Sequence, residues 1–193
     1  TSKGTFERLA LSKFYPLDSI FCDVESYPSF VSCQKAIDFA LKGSFDGVVS
    51  IGGGSVLDTA KTAMAALGSG LTTPQEMLGY NGNYDTKVAS IFVPTTHGTG
   101  SEVTMWGTIW DIVEKKKCSI SNIDLYPTKA ILDGNLTISL PLDISITSVM
   151  DALSHSFEAI WNKNSISEEK YLDEYSKDDL QKLNDILKSV EKK

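Results

Sequence analysis

The sequence predicts an α/β fold, with a doubly wound, mostly parallel sheet in residues 1–140 followed by helical residues 141–193. Short runs of β-branched and aromatic residues alternate with stretches of helical period, the βαβ order of a parallel sheet. Two of those runs end in loops crowded with glycine and hydroxyl residues, GGGS at 52–55 and TTHGTGSE at 95–102. After about residue 141 the texture turns almost wholly helical.

Each element has its own signal. The run IFCDV (20–24) predicts a first strand. Residues 29–42 place Phe30, Cys33, Ile37, Ala40 and Leu41 at helical spacing, with Ser29 as N-cap after Pro28. GVVSI (47–51) is a short apolar run closed by glycines and predicts a buried strand. The next segment, 55–67, aligns Val56, Ala60, Ala63, Met64 and Leu67 on one helical face, with Gly68 just past the end. ASIFVP (89–94) predicts a second buried strand. EVTMWGTIWD and KKCSISN read as two strands joined by the charged turn IVEKK, and KAILD (129–133) as a further strand. Beyond residue 141, PLDISITSVMDALSHSFEAIW reads as helix after helix. Leu180, Leu183, Leu187 and Val190 mark a last amphipathic helix capped by Ser176.

Bulk properties narrow the function classes. A chain of 193 residues is 41% hydrophobic and 22% charged, as ordinary globular proteins are. Its net charge of −7 argues against nucleic acid or an anionic membrane as partner. No apolar run reaches the roughly 18 residues that span a bilayer, and no signal-peptide profile opens the chain. Cys22, Cys33 and Cys118 form no paired pattern, which fits a reducing compartment. A cytoplasmic protein is the expectation.

The two loops carry the functional signal. A strand, then Gly52-Gly53-Gly54-Ser55, then a helix presents backbone N–H groups to an anion, and glycine lets a phosphate approach without a Cβ in the way. By itself GGGS fits a ligand-free tight turn equally well, and neither GxGxxG nor GxxxxGK[ST] spacing is present. The second loop decides between them. PTTHGTGSEVT (94–104) also follows a predicted strand, so both loops line one crevice at the carboxyl edge of the sheet. There the hydroxyls of Thr95, Thr96, Thr99 and Ser101 can serve a phosphate, a ribose or an amide.

Together GGGSVLDTAK, PTTHGTGSEVT, ILDGNLTISLP and MDALSHSFEAIW resemble, in order and spacing, the iron-containing (group III) alcohol dehydrogenase family over residues 1–164. The resemblance implies a dinucleotide-binding α/β domain (1–140) and a shortened all-helical, metal-binding domain (141–193), with NAD(P)H and Fe2+ or Zn2+ as cofactors. It implies hydride exchange with a small aldehyde or primary alcohol, and a homodimer. Gly52, Gly53, Gly54 and Ser55 match the family's pyrophosphate loop, and Asp58 and Lys61 its following helix. Thr95, Thr96 and Thr99 match the loop bordering adenine and nicotinamide, and Lys117 a lysine near the ribose. Asp151 and His155 match two metal ligands, and their i,i+4 spacing puts both on one helical face. Many members carry aspartate where Ser2 stands. An uncharged Ser2 beside Lys3 favours NADPH or dual use. Glu158 reads as a helix-surface carboxylate, and Trp106, Trp110 and Trp161 as packing residues.

Three departures from the family pattern stand out. Position 97 is usually Ala or Ser and is His97 here. The chain opens at TSKG, which resembles the end of the family's first nucleotide-binding strand. With only His97 and His155 in the sequence, two further metal-binding histidines of the family lack counterparts. These departures predict a sheet without its first strand and a reduced helical domain. Within the family, TMWGTIWD, KKKCSIS and DALSHSFEAIWNKN look most like a phosphonoacetaldehyde reductase branch. A glycerol dehydrogenase-like or dehydroquinate synthase-like relative, or a nucleotide-binding module without catalysis, are the alternatives.

Overall fold

The computed structural model describes residues 1–162. Its helices are α1 (Lys3–Arg8), α2 (Phe30–Lys42), α3 (Gly54–Ser69), α4 (Pro74–Met77) and α5 (Leu142–Trp161). Its strands are β1 (Gly47–Gly52), β2 (Ala89–Pro94), β3 (Trp106–Asp111), β4 (Lys116–Ser121) and β5 (Lys129–Ala130). Residues Thr1–Ala152 form one compact unit, and a second begins at Leu153, where the described residues continue α5. The amphipathic segment at 176–190 lies outside the described residues.

The sheet is parallel, in the order β1-β2-β5, with helices packed on it, so the predicted α/β class holds. β1 and β2 run in register from Gly47 opposite Ala89 to Gly52 opposite Pro94. β5 is short and pairs only Lys129 and Ala130 with Ile91 and Phe92. A reciprocal pair helps to align it: Ser90 N–H donates to Thr128 Oγ1 at 3.0 Å, and Thr128 N–H to Ser90 Oγ at 3.1 Å. β3 and β4 form a separate antiparallel hairpin. Its turn is held by Asp111, whose Oδ1 accepts from Val113 and Glu114 N–H at 3.0 and 2.9 Å.

Two helices build the core against these strands. α2 begins as predicted: Ser29 Oγ accepts from Ser32 N–H, and Ser32 Oγ from Ser29 N–H, a reciprocal cap of the kind worth about 1 kcal/mol. Its face of Cys33 and Ile37 is buried with Leu57, Met64 and Ala65 of α3, Phe92 of β2, and Ile109 and Ile120 of the hairpin. Complete burial of a side chain such as Phe92 contributes roughly 1.5–3 kcal/mol.

Four expectations need correction. Residues 20–24 are not a strand: they lie off the sheet, where the Thr1 main-chain nitrogen donates to the Phe21 carbonyl at 3.1 Å and the Phe21 ring packs on Phe39 at 5.5 Å. Among the described residues β1 is therefore an edge strand. Its residues alternate in burial, with Val49 46% exposed, and β2 alternates likewise, with Ile91 36% exposed, where two buried strands were expected. Gly68 does not end α3. It lies inside the helix, at a position where a Cβ would meet the Thr86 carbonyl at 2.6 Å, and the stop is Gly70 at φ 71°. Finally, one continuous helix, α5, replaces the expected succession across 142–161.

Candidate functional site

The two glycine- and hydroxyl-rich loops meet at the carboxyl ends of β1 and β2. Thr95 N–H donates to the Gly52 carbonyl at 2.9 Å, carrying the β1–β2 pairing one step beyond the strands. From there the loops touch. A Cβ on Gly53 would stand 3.0 Å from Thr96 Cγ2, and one on Gly54 would stand 2.9 Å from Thr99 Cγ2. The glycines are thus needed for loop-on-loop approach as well as for any ligand.

The polar groups in this contact are unevenly satisfied. Gly53 is the N-cap of α3 and has no side chain to accept from the first-turn amides. Ser55 Oγ donates to the Ser26 carbonyl, so its hydroxyl is committed within the protein. Thr96 Oγ1, beside Gly53, is buried and has no hydrogen-bond partner among the described residues. A buried hydroxyl left unpaired next to an uncapped helix N-terminus is a cradle for a polar ligand. Both glycine positions would be filled by a Cβ. These features fit a dinucleotide pyrophosphate.

Beneath the loops lies a buried polar cluster. Ser101 Oγ donates to Asp58 Oδ1 at 2.8 Å. Lys61, fully buried, donates to the Ser101 carbonyl at 2.8 Å, Ser101 Oγ at 3.0 Å, Thr104 Oγ1 at 3.0 Å and the Trp106 carbonyl at 2.5 Å. Burial raises the Asp58 carboxyl above its ordinary range, against hydrogen bonds from Ser101 and Thr108 and the charge of Lys61. Burial also lowers Lys61 to about 8, against the pull of Asp58 and Glu102.

On the far side, the second loop meets α5. His97 Nε2 lies 2.9 Å from Ser145 Oγ. Gly98 has φ 118°, and a Cβ there would collide with the Ser148 carbonyl at 1.9 Å. Only glycine satisfies both conditions.

The fold and this loop pair agree with what the chain is similar to. A family model described as iron-containing alcohol dehydrogenase matches residues 6–134. The chain belongs to the iron-containing alcohol dehydrogenase family. Among its relatives, long-chain-alcohol dehydrogenase 1 of Geobacillus thermodenitrificans is 35% identical over 147 residues, 75% of this chain and 37% of that protein. The NAD-dependent methanol dehydrogenase of Bacillus methanolicus is 36% identical over 143 residues, 73% of this chain and 37% of that protein. The crystal structure of sulfoacetaldehyde reductase from Bifidobacterium kashiwanohense in complex with NAD+ has a TM-score of 0.69 and 29% identity. It is covered to 42%, by 82% of this chain. The chain thus spans little more than a third of the length of these curated relatives.

In this family member the structure brings together Gly52, Gly53, Gly54, Ser55, Thr95, Thr96 and Thr99, with Asp58 and Ser101 bonded to each other below. Ser2 and Lys117 hydrogen-bond to neither loop among the described residues. Ser2 caps α1, accepting from Thr5 N–H at 3.3 Å, and exposed Lys117 sits on β4 opposite Trp110. Asp151 and His155 lie one turn apart on α5, and His155 Nδ1 is 3.7 Å from Glu158 Oε2. Among the described residues no group of three or more His, Cys, Asp or Glu is placed to hold a metal. Two donors alone do not complete such a site.

Trp110 packs edge-on against Tyr27 and Trp161, though exposed, stacks on Phe157 at 5.3 Å, whereas Trp106 is exposed. What Trp106 contributes is its carbonyl, to Lys61. Sequence reasoning did not foresee Lys61 as the centre of a cluster. Its signal was a lone cation three residues after Asp58 in a helix otherwise made of small and apolar side chains.

Proposed function

We propose that the chain binds NAD(P)H between the glycine turn and the 95–101 loop, as the cofactor half of an oxidoreductase acting on a small aldehyde or primary alcohol. The observation that carries this reading is the unpaired, buried Thr96 hydroxyl beside the uncapped start of α3. In this reading the first-turn amides of α3 hold the pyrophosphate, and Thr96 Oγ1 gains the partner it lacks. Thr95 N–H keeps the two loops in register, and the hairpin and α3 exclude water from below. The nicotinamide, when bound, supplies or accepts the hydride.

Asp151 and His155 are the candidate donors to the metal of the family's name. The described residues do not complete a metal site around them. The finer readings are a phosphonoacetaldehyde-like substrate, NADPH or dual cofactor use, a homodimer and a cytoplasmic location. No helix among the described residues is long and apolar enough to cross a membrane. The alternative reading is a nucleotide-binding module without catalysis.

Titration of the chain with NADH and with NADPH, followed by nicotinamide fluorescence, tests the cofactor reading. Saturable binding is expected, at least as tight for NADPH as for NADH, and no saturable signal with either would overturn it. Oxidation of the bound cofactor by acetaldehyde or phosphonoacetaldehyde, with and without added Fe2+ or Zn2+, separates the enzyme from the module.

A further inference from the structure

We propose that Lys61 is a positioning residue, whose buried ammonium clamps the 101–106 backbone to α3 and so sets the 95–101 loop at a fixed height over the glycine turn. The functional consequence rests on the dinucleotide reading above; the clamp itself does not.

The argument starts from the two feet of the loop. The first foot is a main-chain bond, Thr95 N–H to the Gly52 carbonyl. The second has no such ladder. Residues 101–103 form a single 3-10 turn preceded by Gly100 at φ 61°, and β3 begins only at Trp106. Between the feet, Gly98 also has positive φ, so two glycines leave this stretch little stiffness of its own. What holds the second foot is Lys61, reaching main-chain or side-chain oxygens of Ser101, Thr104 and Trp106 at 2.5–3.0 Å. An ammonium has three protons, so four acceptors this close share them, and no neutral side chain of that length replaces the set.

The chemistry of the position is otherwise unexplained. α3 buries Val56, Leu57, Met64 and Ala65, and an apolar residue at 61 would extend that face without desolvating a charge. A buried cation is costly unless hydrogen-bonded and balanced. Here the balance comes from Asp58 on the same helix and Glu102 on the clamped turn. Asp58 also accepts from Ser101 Oγ, so the anion and the cation grip the same residue of the loop. Displacement of this foot would carry with it Thr99, whose methyl lies against Gly54, and then Thr96 against Gly53.

The test uses the full chain with Lys61→Met, which removes every donor, and Thr104→Val, which removes one acceptor and leaves the lysine in place. Amide hydrogen exchange compares residues 95–106 with the buried face of α2, and NADH fluorescence gives the dissociation constant. Lys61→Met is expected to speed exchange at least tenfold in 99–106 while Cys33–Ala40 keep their protection, and to weaken NADH about tenfold. Thr104→Val should move both readouts the same way by about threefold, and it alone decides if Lys61→Met does not fold. Unchanged exchange in the loop, or a rise shared equally by α2, would mean that Lys61 only fills the core, and would overturn the proposal. Local loosening without any NADH binding by the wild-type chain would keep the clamp and sink the dinucleotide reading. Tight wild-type binding with an unaltered dissociation constant in both variants would overturn the positioning role.

Discussion

Gly53 carries two duties at once, and substitution separates them by degree. Gly53→Val places a side chain both where the pyrophosphate is proposed and against Thr96, which a bare Cβ already approaches to 3.0 Å. Cofactor affinity should fall at least tenfold, about 1.4 kcal/mol. Thermal unfolding run in parallel shows how much of the change is loop strain. An unchanged dissociation constant would remove this turn from the binding site. Lys61 makes a prediction about pH. Folding lowers its pKa to about 8 from an unfolded value of 10.5, so between those values the unfolded chain holds the proton that the folded chain has released. The penalty of the buried charge is complete below pH 8 and is relieved as pH rises toward 10.5, so this group's contribution to stability increases across that window. The urea midpoint of the wild type should gain on that of Lys61→Met between pH 7.5 and 10, whereas parallel curves would contradict the assignment. Burial pushes the Cys33 thiol up to about 12, so Cys33 should resist alkylation at pH 8 until the chain unfolds, while half-buried Cys22 and Cys118 react in the native state.

At the scale of elements, the 95–101 loop is gripped from three sides: by β1 at Thr95, by α3 through Lys61, and by α5 at Gly98. Gly98→Ala and Gly100→Ala differ in two ways. Alanine at 100 enters the left-handed well at φ 61°, whereas alanine at 98 is forced to φ 118°, outside that well, and its Cβ also meets the Ser148 carbonyl. The unfolding midpoint of Gly98→Ala should therefore drop clearly below that of Gly100→Ala; equal midpoints would mean that α5 does not press on the loop. Sequence made the strands legible wherever a β-branched run ended in glycine or proline, as at 47–52 and 89–94. The capping box of α2 was partly legible, in the Ser29 that follows Pro28. Residues 20–24 misled because β propensity is only half of a strand; the other half is a neighbour to pair with, and a local pattern does not encode one. Gly68 misled for a related reason. Its role is to admit the Thr86 carbonyl, a contact between residues far apart in sequence. In the candidate site the glycines and threonines announced themselves, whereas the Lys61 cluster depends on three residues 40 to 45 positions away.

In the molecule as a whole, the loop pair proposed for the cofactor is assembled among the described residues, whereas the candidate metal donors there are two, Asp151 and His155. Hydrogen bonds and close contacts join the two loops, α3 and the hairpin, while among the described residues Asp151 and His155 belong to no group of three or more His, Cys, Asp or Glu placed to hold a metal. The chain should therefore bind iron or zinc weakly, losing it on dialysis against a chelator, since a catalytic metal site normally draws on about three protein ligands. About one retained equivalent by elemental analysis would reveal a ligand set beyond those two residues. An exchange footprint reports on the proposed cofactor site without any substitution. Amide hydrogen exchange of the wild-type chain, with and without saturating NADPH or NADH, should show new protection at 53–57 and 95–101, with α2 unchanged. Protection confined to other segments, or none at saturation, would contradict it.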